Sequence, residues 1–144
     1  MISRLSAQAL AHHDPDVDAV YRLTLPIPFD WDDRALVGAG GERPLVLPPN
    51  TFAPANAQAT LHTQAGLWAT LLPRTVHGRV SDIWRSYIVS ALLWLSGYTV
   101  GVTEAIVTQY RNPHTYMKDY HDETDLYQKS ESLLQVLGAW LKHV

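Results

Sequence analysis

Apolar residues recur at helical spacing in two long stretches of this chain. The first stretch predicts a helix over residues 80–96, with Ser81 as its N-cap and Gly97 at its end. The second stretch predicts an amphipathic helix over residues 125–142, with acidic residues at its start and Lys142 at its end, as the helix dipole favours. We expect each helix to bury one face.

Shorter patterns predict the remaining elements. Residues 26–56 are rich in proline, glycine and aspartate and are expected to be mostly loop, with one short strand at 44–48. The other predicted elements, in chain order, are a helix over 1–12, an extended segment over 17–25, a strand over 57–63, a helix over 64–72, and strands over 98–102 and 105–109. Together they predict an α/β fold class, with a short mixed sheet and packed helices.

The composition predicts a folded chain with much concealed surface. Of the 144 residues, 47% are apolar, which argues against global disorder. Only 17% are charged, compared with a usual value of about 25%. The length fits one domain or one half of a larger domain. We therefore expect part of the surface to face a missing segment, another subunit or a membrane.

Charge and cysteine content exclude several classes of function. The net charge is −3 and no basic run occurs, so we expect no nucleic-acid partner. The absence of cysteine excludes disulfides, zinc–thiolate sites and cysteine nucleophiles. The N-terminal sequence is too polar for a secretory signal. Residues 86–103 carry no charge, but their serines and central glycine favour a buried helix followed by a buried strand over a membrane span.

Three alternating aspartates, Asp14, Asp16 and Asp18, are the first candidates for chemistry. Carboxylates at this spacing could bind Mg²⁺ or Mn²⁺, which prefer oxygen ligands. The alternative is a solvated turn in which the side chains cap their own backbone. Because a D-x-D motif alone has little specificity, we favour the turn and assign no metal ligand.

A denser set of polar residues surrounds the start of the first long helix. The segment 72–85, LPRTVHGRVSDIWR, contains Arg79, Asp82 and Arg85. Helix starts attract anions, and arginine suits phosphates or carboxylates. Asp82 could accept a proton from an attacking hydroxyl. The alternative, which spacing alone leaves open, is that Ser81 and Asp82 cap the helix and that both arginines pair with Asp82.

Polar residues in two loops are further candidates. Arg111, Asn112 and His114 follow a predicted strand, where functional loops are common. His114 could bind a metal or a phosphate, or lie at the surface without a role. Asn56 and Gln58 carry amides that could bind sugar hydroxyls or satisfy the loop backbone.

Four segments resemble the STELLO-type glycosyltransferase family. The resemblance covers about residues 12–142, and its most specific part is GRVSDIWRSY. The segments that carry it are DPDVDAVYRLT at 14–24, NAQATLH at 56–62, LPRTVHGRVSDIWRSYI at 72–88, and QYRNPHTYMKD at 109–119 with the DLYQKS that follows. A more distant similarity is to the reversibly glycosylated polypeptides, the UDP-arabinopyranose mutases. These share a VDAV-type strand, an asparagine aligned with Asn56, and an aspartate–aromatic pair like Asp82 and Trp84.

The resemblance implies a GT-A-like fold, in which an N-terminal half binds the nucleotide and supplies the metal motif. The C-terminal half supplies the acceptor pocket and often the catalytic base. Residues 1–144 resemble the C-terminal half only, so they are expected to form the C-terminal part of a single glycosyltransferase-like domain. By resemblance Asp82 becomes the candidate base. The candidate substrate-binding residues are Asn56, Gln58, Arg79, Trp84, Arg85, Arg111, Asn112 and His114.

The function implied is the acceptor-side half of a nucleotide-sugar-dependent glycosyltransferase that is incomplete as an enzyme without its N-terminal half. The expected partners are that half or another subunit and, in the full-length context, a nucleotide sugar and a glycan acceptor. Mn²⁺ or Mg²⁺ is implied for the full-length family, and we expect none to be held by this chain alone. The resemblance implies an anchor in the Golgi membrane, and we expect neither a signal nor a membrane segment within these 144 residues. The alternative is a non-catalytic interaction module of a glycan-biosynthesis assembly.

Overall fold

The computed structural model describes residues 5–28 and 45–144, and it confirms the α/β fold class. Its elements are β1 (Leu5–His13), α1 (Ala19–Thr24), β2 (Leu45–Leu47), β3 (Thr60–Leu61), a 3-10 helix (Gln64–Thr70), α2 (Gly78–Leu95), β4 (Thr99–Gln109), α3 (Tyr116–Asp122) and α4 (Thr124–Leu141). Among the described residues the architecture is a short mixed sheet with packed helices, consistent with a partial GT-A-like domain. The first four residues of the predicted 1–12 helix, and residues 29–44 of the predicted loop, lie outside the described residues.

The sheet has the strand order β2-β4-β1-β3 in the described part of the chain. Its central pair is parallel: β1 runs alongside β4 from Leu5 opposite Thr99 to His13 opposite Gln109. The short strands β2 and β3 pair antiparallel with β4 and β1 respectively. Because the central strands are parallel, both of their carboxyl ends lie at the same edge of the sheet, and the segments that follow them emerge side by side.

Two small apolar clusters hold the helices in place. One joins the 3-10 helix to α2 through Ala69, Val89 and Leu93 and continues to the start of β4. The other joins α2 to α4 through Tyr87 and Leu137, with partly buried leucines of α4 around them. Leu93 is 2% exposed, and burial of a leucine stabilises the fold by about 2 kcal/mol. The first cluster holds the end of α2 against the sheet, and the second holds α2 against α4.

The start of α2 differs from the prediction that placed its N-cap at Ser81. The helix begins at Gly78, and His77 is the N-cap, with Nδ1 accepting from the Arg79 N–H at 3.3 Å. The Ser81 hydroxyl lies inside the helix and donates to the Gly78 carbonyl at 2.9 Å. The ring nitrogen of His77 therefore caps the helix in place of the expected serine hydroxyl, because an imidazole nitrogen can also accept a hydrogen bond.

The end of α2 confirms the predicted role of Gly97. This residue has φ 72°, in the left-handed region that favours glycine. Its N–H donates to the Trp94 carbonyl at 3.0 Å, and the Tyr98 N–H donates to the Leu93 carbonyl at 2.8 Å. These two bonds form the Schellman arrangement that ends many helices, and they turn the chain directly into β4.

The predicted helix over residues 1–12 is wrong, since residues 5–13 form the central strand β1. Ala7, Ala9 and Ala11 are all buried, at 8%, 6% and 3% exposure. Their spacing of two residues is that of a strand face. Alanine has the highest helix propensity, so a buried alanine strand resembles a helix in the sequence.

The predicted extended segment over residues 17–25 is also wrong, because residues 19–24 form the helix α1. Asp18 is its N-cap and accepts from the Tyr21 N–H at 3.0 Å. The first helical N–H, that of Ala19, donates to a Glu123 carboxylate oxygen at 2.8 Å. The β-branched and aromatic residues of this segment predicted an extended conformation. The helix is stabilised by the Glu123 carboxylate, which comes from a distant part of the chain.

The other predicted elements are close to those observed. The short strand at 44–48, the helix at 64–72 and the final helix correspond to β2, the 3-10 helix and α4. The two strands predicted for residues 98–102 and 105–109 form one strand, β4, with register shifts opposite Ala9–Ala11. Helix α3 was not predicted. In the described part of the chain, no helix combines the length and the apolar character that crossing a bilayer requires.

Candidate functional site

A large cavity lies beside the segments that follow the carboxyl ends of β1 and β4. Its volume is about 920 Å³, which is ample for a sugar-sized ligand. Segments from 16–21 and 54–56, Arg111, the first turns of α2 and the start of α4 line it. Ligands commonly bind outside the carboxyl ends of parallel strands, because several loops converge there.

Arg79, one of the predicted site residues, lines this cavity but is already paired. Its Nε and Nη2 donate to one Glu123 carboxylate oxygen at 3.0 and 2.7 Å, and its Nη1 lies 3.4 Å from an Asp119 oxygen. Burial lowers the pKa of Arg79, but the hydrogen bond and charge of Glu123, with the charge of Asp119, outweigh burial and raise it. The guanidinium thus remains charged and is neutralised from two sides.

Glu123 is the centre of this network, and the sequence patterns did not identify it as a site residue. It is 3% exposed, and besides Arg79 it accepts from the Ala19 N–H and from the Tyr127 hydroxyl. Burial and the hydrogen bond to Glu123 raise the pKa of Tyr127, so its hydroxyl stays protonated. Glu123 therefore joins the starts of α1, α2 and α4 at one point of the cavity wall.

Asp82, the predicted base, lines the same cavity. Its Oδ2 accepts from the Ala57 N–H at 3.0 Å, and its Oδ1 accepts from the Ile83 N–H at 2.9 Å. It pairs with neither Arg79 nor Arg85, so the pairing alternative raised by the spacing is wrong. An ionised carboxylate offers about four acceptor positions, and the two backbone donors leave room for a ligand hydroxyl.

Arg111 and Asn56 also line the cavity, where they hold the segment around Asp16. The Arg111 guanidinium forms an ion pair with the Asp16 carboxylate. The Asn56 side-chain N–H donates to the Asp16 carbonyl at 3.1 Å. Gln58 accepts from the Asp16 N–H at 3.2 Å but does not line the cavity. These contacts join the segments that follow β1 and β4 to the segment that precedes β3.

The cavity lining is acidic and aromatic. Four carboxylates and two guanidiniums line it, which leaves a formal charge of −2. Both guanidiniums are paired with carboxylates, Arg79 with Glu123 and Arg111 with Asp16. Three tyrosine side chains complete the lining: Tyr21, Tyr87 and Tyr127. Such a surface suits a neutral ligand that is rich in hydroxyl groups, and it disfavours an added negative charge.

The remaining predicted site residues lie outside this cavity. Trp84 packs between α2 and α4 and donates from Nε1 to the Ser130 hydroxyl at 3.0 Å. Arg85 lines a separate, smaller cavity. Asn112 is exposed, and His114 lies at the surface with Nδ1 3.4 Å from a second Asp119 oxygen. The structure thus brings together four of the predicted residues: Asn56, Arg79, Asp82 and Arg111.

The three alternating aspartates do not converge. Asp14 forms an ion pair with Arg22 at 2.6 Å, Asp16 pairs with Arg111, and Asp18 caps α1. Within residues 5–28 and 45–144, no group of three or more acidic or histidine side chains is arranged to hold a metal ion.

Fold and site together define an α/β protein with an acidic, tyrosine-lined cavity beside the carboxyl ends of a parallel strand pair. The comparisons with known proteins identify the relationship. A sequence profile of the STELLO glycosyltransferases matches residues 79–143. "Probable glycosyltransferase STELLO2" of Arabidopsis thaliana is 32% identical over 138 residues, which cover 92% of this chain. "Probable glycosyltransferase STELLO1" of the same plant is 28% identical over 134 residues, also 92% of this chain.

The resemblance to the STELLO glycosyltransferases is thereby confirmed, and the chain is related to them along nearly its whole length. It spans only 17% of the length of each of these two relatives. The profile match begins at Arg79 and includes Asp82, Arg111 and Glu123, so most of the charged cavity residues lie in the matched region.

Proposed function

We propose that this chain forms the acceptor-side part of a nucleotide-sugar-dependent glycosyltransferase, and that its large cavity holds the acceptor sugar. The observation that carries the proposal is that Asp82, Arg79 and Arg111 line one cavity of about 920 Å³. These residues come from the start of α2 and from the segment after β4. The sequence relationship supplies the reaction class, and the cavity supplies a place for one of its substrates.

The charge of the cavity favours the acceptor over the donor. A nucleotide sugar carries a diphosphate, which needs unpaired cationic groups or free N–H donors. Arg79 and Arg111 are occupied by carboxylates, and the formal charge of the lining is negative. In contrast, a neutral glycan can donate hydroxyls to Asp82 and pack against the tyrosine rings. The two arginines then act as positioning residues for the cavity wall.

In this scheme Asp82 acts as a general base. The acceptor hydroxyl oxygen attacks the anomeric carbon of the donor, and the bond from that carbon to the nucleoside diphosphate breaks. The hydroxyl proton passes to Asp82, and the leaving diphosphate takes the electron pair of the broken bond. The backbone N–H groups of Ala57 and Ile83 hold the carboxylate in place, at 3.0 and 2.9 Å. A direct displacement of this kind inverts the anomeric configuration.

The donor, its metal ion and the cellular location belong to the longer context of the relatives. We infer that other parts of such a protein bind the nucleotide sugar, because both arginines of this cavity are already paired with carboxylates. Any Mn²⁺ or Mg²⁺ would accompany that nucleotide sugar. A Golgi location follows from the same relationship. In this proposal the nucleotide sugar and the glycan meet at the edge of the cavity only when those other parts of the protein are present.

Substitution of the aspartate aligned with Asp82 in a full-length relative tests the base. We expect Asp82→Asn to lower the transfer rate by about 10²- to 10⁴-fold, since general base catalysis contributes that much. The variant should remain folded with a somewhat lower Tm, because the single asparagine oxygen can accept only one of the two backbone N–H groups that Asp82 accepts. A substitution aligned with the exposed residue Glu131, Glu131→Gln, serves as the matched control. Unchanged transfer by the Asp82 variant would remove this residue from the mechanism.

A binding measurement on this chain tests the cavity itself. Isothermal titration should detect neutral oligosaccharides, and it should detect no UDP, with or without Mn²⁺. Tyr21→Ala should weaken the oligosaccharide binding by removing a ring from the lining. Binding of UDP at the same affinity as the oligosaccharides would contradict the assignment of the cavity to the acceptor.

One observation favours the alternative of a non-catalytic interaction module. Several apolar side chains are widely exposed, among them Leu61 at 66%, Leu71 at 76%, Ile106 at 68% and Val136 at 66%. Apolar exposure of this extent favours contact with another protein surface. A scaffold would retain partner binding after Asp82→Asn and would bind no sugar, and the transfer and titration measurements above separate the two functions.

A further inference from the structure

Two tyrosine rings are stacked on each other beside the large cavity. Tyr120 of α3 and Tyr127 of α4 have ring centroids 5.5 Å apart and ring planes inclined by 23°. Both residues remain open to solvent, with exposed fractions of 40% and 38%. Tyr127 is part of the cavity lining, whereas Tyr120 lies beyond it. The pair therefore extends the aromatic lining from the cavity to the outer surface.

Buried carboxylates hold the two rings in place. The Tyr127 hydroxyl donates to Glu123, which is 3% exposed. Tyr120 directly follows Asp119, which is 6% exposed and lies 3.4 Å from Nη1 of Arg79. The ion-pair network of the cavity wall thus fixes both the start of α4 and the helix that carries Tyr120. Because the rings are positioned in advance and a tyrosine has only two χ angles, a ligand that binds here loses little conformational entropy in the protein.

The surface next to Tyr120 suits an uncharged ligand. Met117 lies three residues earlier on the same face of α3 and is 56% exposed, so it extends the apolar surface. Lys118 and Asp122, on the same helix, pair with each other at 2.7 Å, which offsets their charges. A tyrosine ring packs against the C–H face of a sugar, and its hydroxyl can bond a sugar hydroxyl. A neutral sugar residue fits this surface better than a phosphate or a uronate does.

We propose that Tyr120, stacked on Tyr127, forms a second sugar subsite, which binds the residue of the acceptor glycan that follows the part held in the cavity. The inference rests on the proposed acceptor function of the cavity and adds the length of the acceptor to it. The 5.5 Å between the two rings is close to the spacing of neighbouring sugar rings in a glycan. A glycan that leaves the cavity past Tyr127 places its next sugar on Tyr120. The acceptor is then the end of an oligosaccharide or polysaccharide rather than a free monosaccharide.

Saccharides of increasing length test the proposal on the full chain. The probes are neutral gluco-, xylo-, manno- and galacto-saccharides, each from the monosaccharide to the tetrasaccharide, and NMR titration measures each Kd. In a series that binds, affinity should rise with length until the glycan reaches Tyr120, and this last step should be about 3- to 10-fold, the size of one aromatic contact. Equal affinities for the monosaccharide and the tetrasaccharide would overturn the subsite and leave the cavity assignment standing. If no saccharide bound, the cavity assignment and the subsite would fall together.

Substitutions assign the last step to its ring. Tyr120→Ala should weaken tetrasaccharide binding by about 3- to 10-fold and leave the monosaccharide Kd unchanged. Tyr120→Phe keeps the ring and should retain most of the affinity. The matched control is Trp68→Ala, at an aromatic residue of the same 40% exposure that lines neither the large cavity nor the smaller one, and it should change neither Kd.

Two outcomes of the Tyr120→Ala titration would overturn the subsite. An equal loss for the monosaccharide and the tetrasaccharide would mean that Tyr120 only positions Tyr127 in the cavity wall. No loss for either saccharide would mean that the exposed pair serves another contact, such as a protein surface.

Nuclear Overhauser effects provide a measurement on the unsubstituted chain. With the tetrasaccharide bound, the ring protons of Tyr120 should show effects to sugar protons. With the monosaccharide bound, such effects should be confined to rings that line the cavity, such as Tyr21 and Tyr127. Effects from the tetrasaccharide to the cavity rings alone would contradict a subsite at Tyr120.

Discussion

At the scale of single residues, Glu123 shows how one buried carboxylate organises the site. It joins the Arg79 guanidinium, the Tyr127 hydroxyl and the first N–H of α1. None of these contacts could be predicted from the sequence, because the partners lie far apart in the chain and a glutamate next to a helix start has an ordinary local explanation. The pairing became visible only when the fold brought α1, α2 and α4 together.

Glu123→Gln should destabilise the chain by about 2 kcal/mol, since it leaves the half-buried Arg79 guanidinium without its closest charged partner. The free energy of unfolding in urea measures the effect. Glu131→Gln removes the same charge from an exposed position of α4 and should change the stability by less than about 0.5 kcal/mol. Similar losses in the two variants would show that the network around Glu123 contributes nothing specific.

His62 provides a test of the electrostatics around Arg85. Burial and the arginine charge hold its pKa below the ordinary value of 6.5. The unfolded chain therefore binds a proton at this ring more readily than the folded chain, so this contribution to stability falls as the pH drops below about 6.5. The imidazole proton shifts in NMR should titrate below 6.5 in the parent, and Arg85→Met should raise the titration midpoint. An unchanged midpoint would contradict this coupling.

At the scale of elements, the sequence predicts what depends on local patterns. The apolar stripes of α2 and α4 and the glycine after α2 were sufficient to place both helices within two residues of their observed bounds. Elements whose conformation depends on distant contacts were predicted wrongly. The alanine-rich β1 becomes a strand because it lies between β3 and β4, and α1 is a helix with a carboxylate of α3–α4 at its start.

The glycines of α2 and α4 allow a matched comparison of backbone conformation. An added methyl group would meet no atom within 4 Å at either Gly97 or Gly138, but only Gly97 has a positive φ, at 72°. Gly97→Ala should therefore destabilise the fold by about 1 kcal/mol. Gly138→Ala lies inside α4 and should stabilise it by about 0.5 to 1 kcal/mol. Urea unfolding measures both, and effects of the same sign would contradict the role of Gly97 in ending α2.

At the scale of the whole molecule, the candidate site could be predicted only in part. Asn56, Arg79, Asp82 and Arg111 were named from the sequence and line one cavity. The acidic character of that cavity could not be predicted. It depends on the pairing of Arg79 with Glu123 and of Arg111 with Asp16, which only the fold brings about. Arg85 was also named from the sequence, but in the structure it lines the separate, smaller cavity.

The central position of β1 predicts a strong effect of its removal. It pairs with β4 along its whole length and with β3 on its other side. Deletion of residues 1–13 should therefore abolish cooperative thermal unfolding, as followed by circular dichroism. Deletion of residues 143–144, which follow α4, should leave the transition unchanged. A cooperative transition without β1 would mean that the helices form a stable unit by themselves.

The parallel pairing of the first and last strands also sets the order of events during synthesis. Leu5 finds its partner only after Thr99 has left the ribosome. At roughly 5–20 residues per second, β1 waits on the order of 5 to 20 seconds for β4. During this interval its alanine-rich backbone has unpaired N–H and carbonyl groups, which other chains can bind. Protection by chaperones should accordingly matter most for the nascent chain, before the sheet can close.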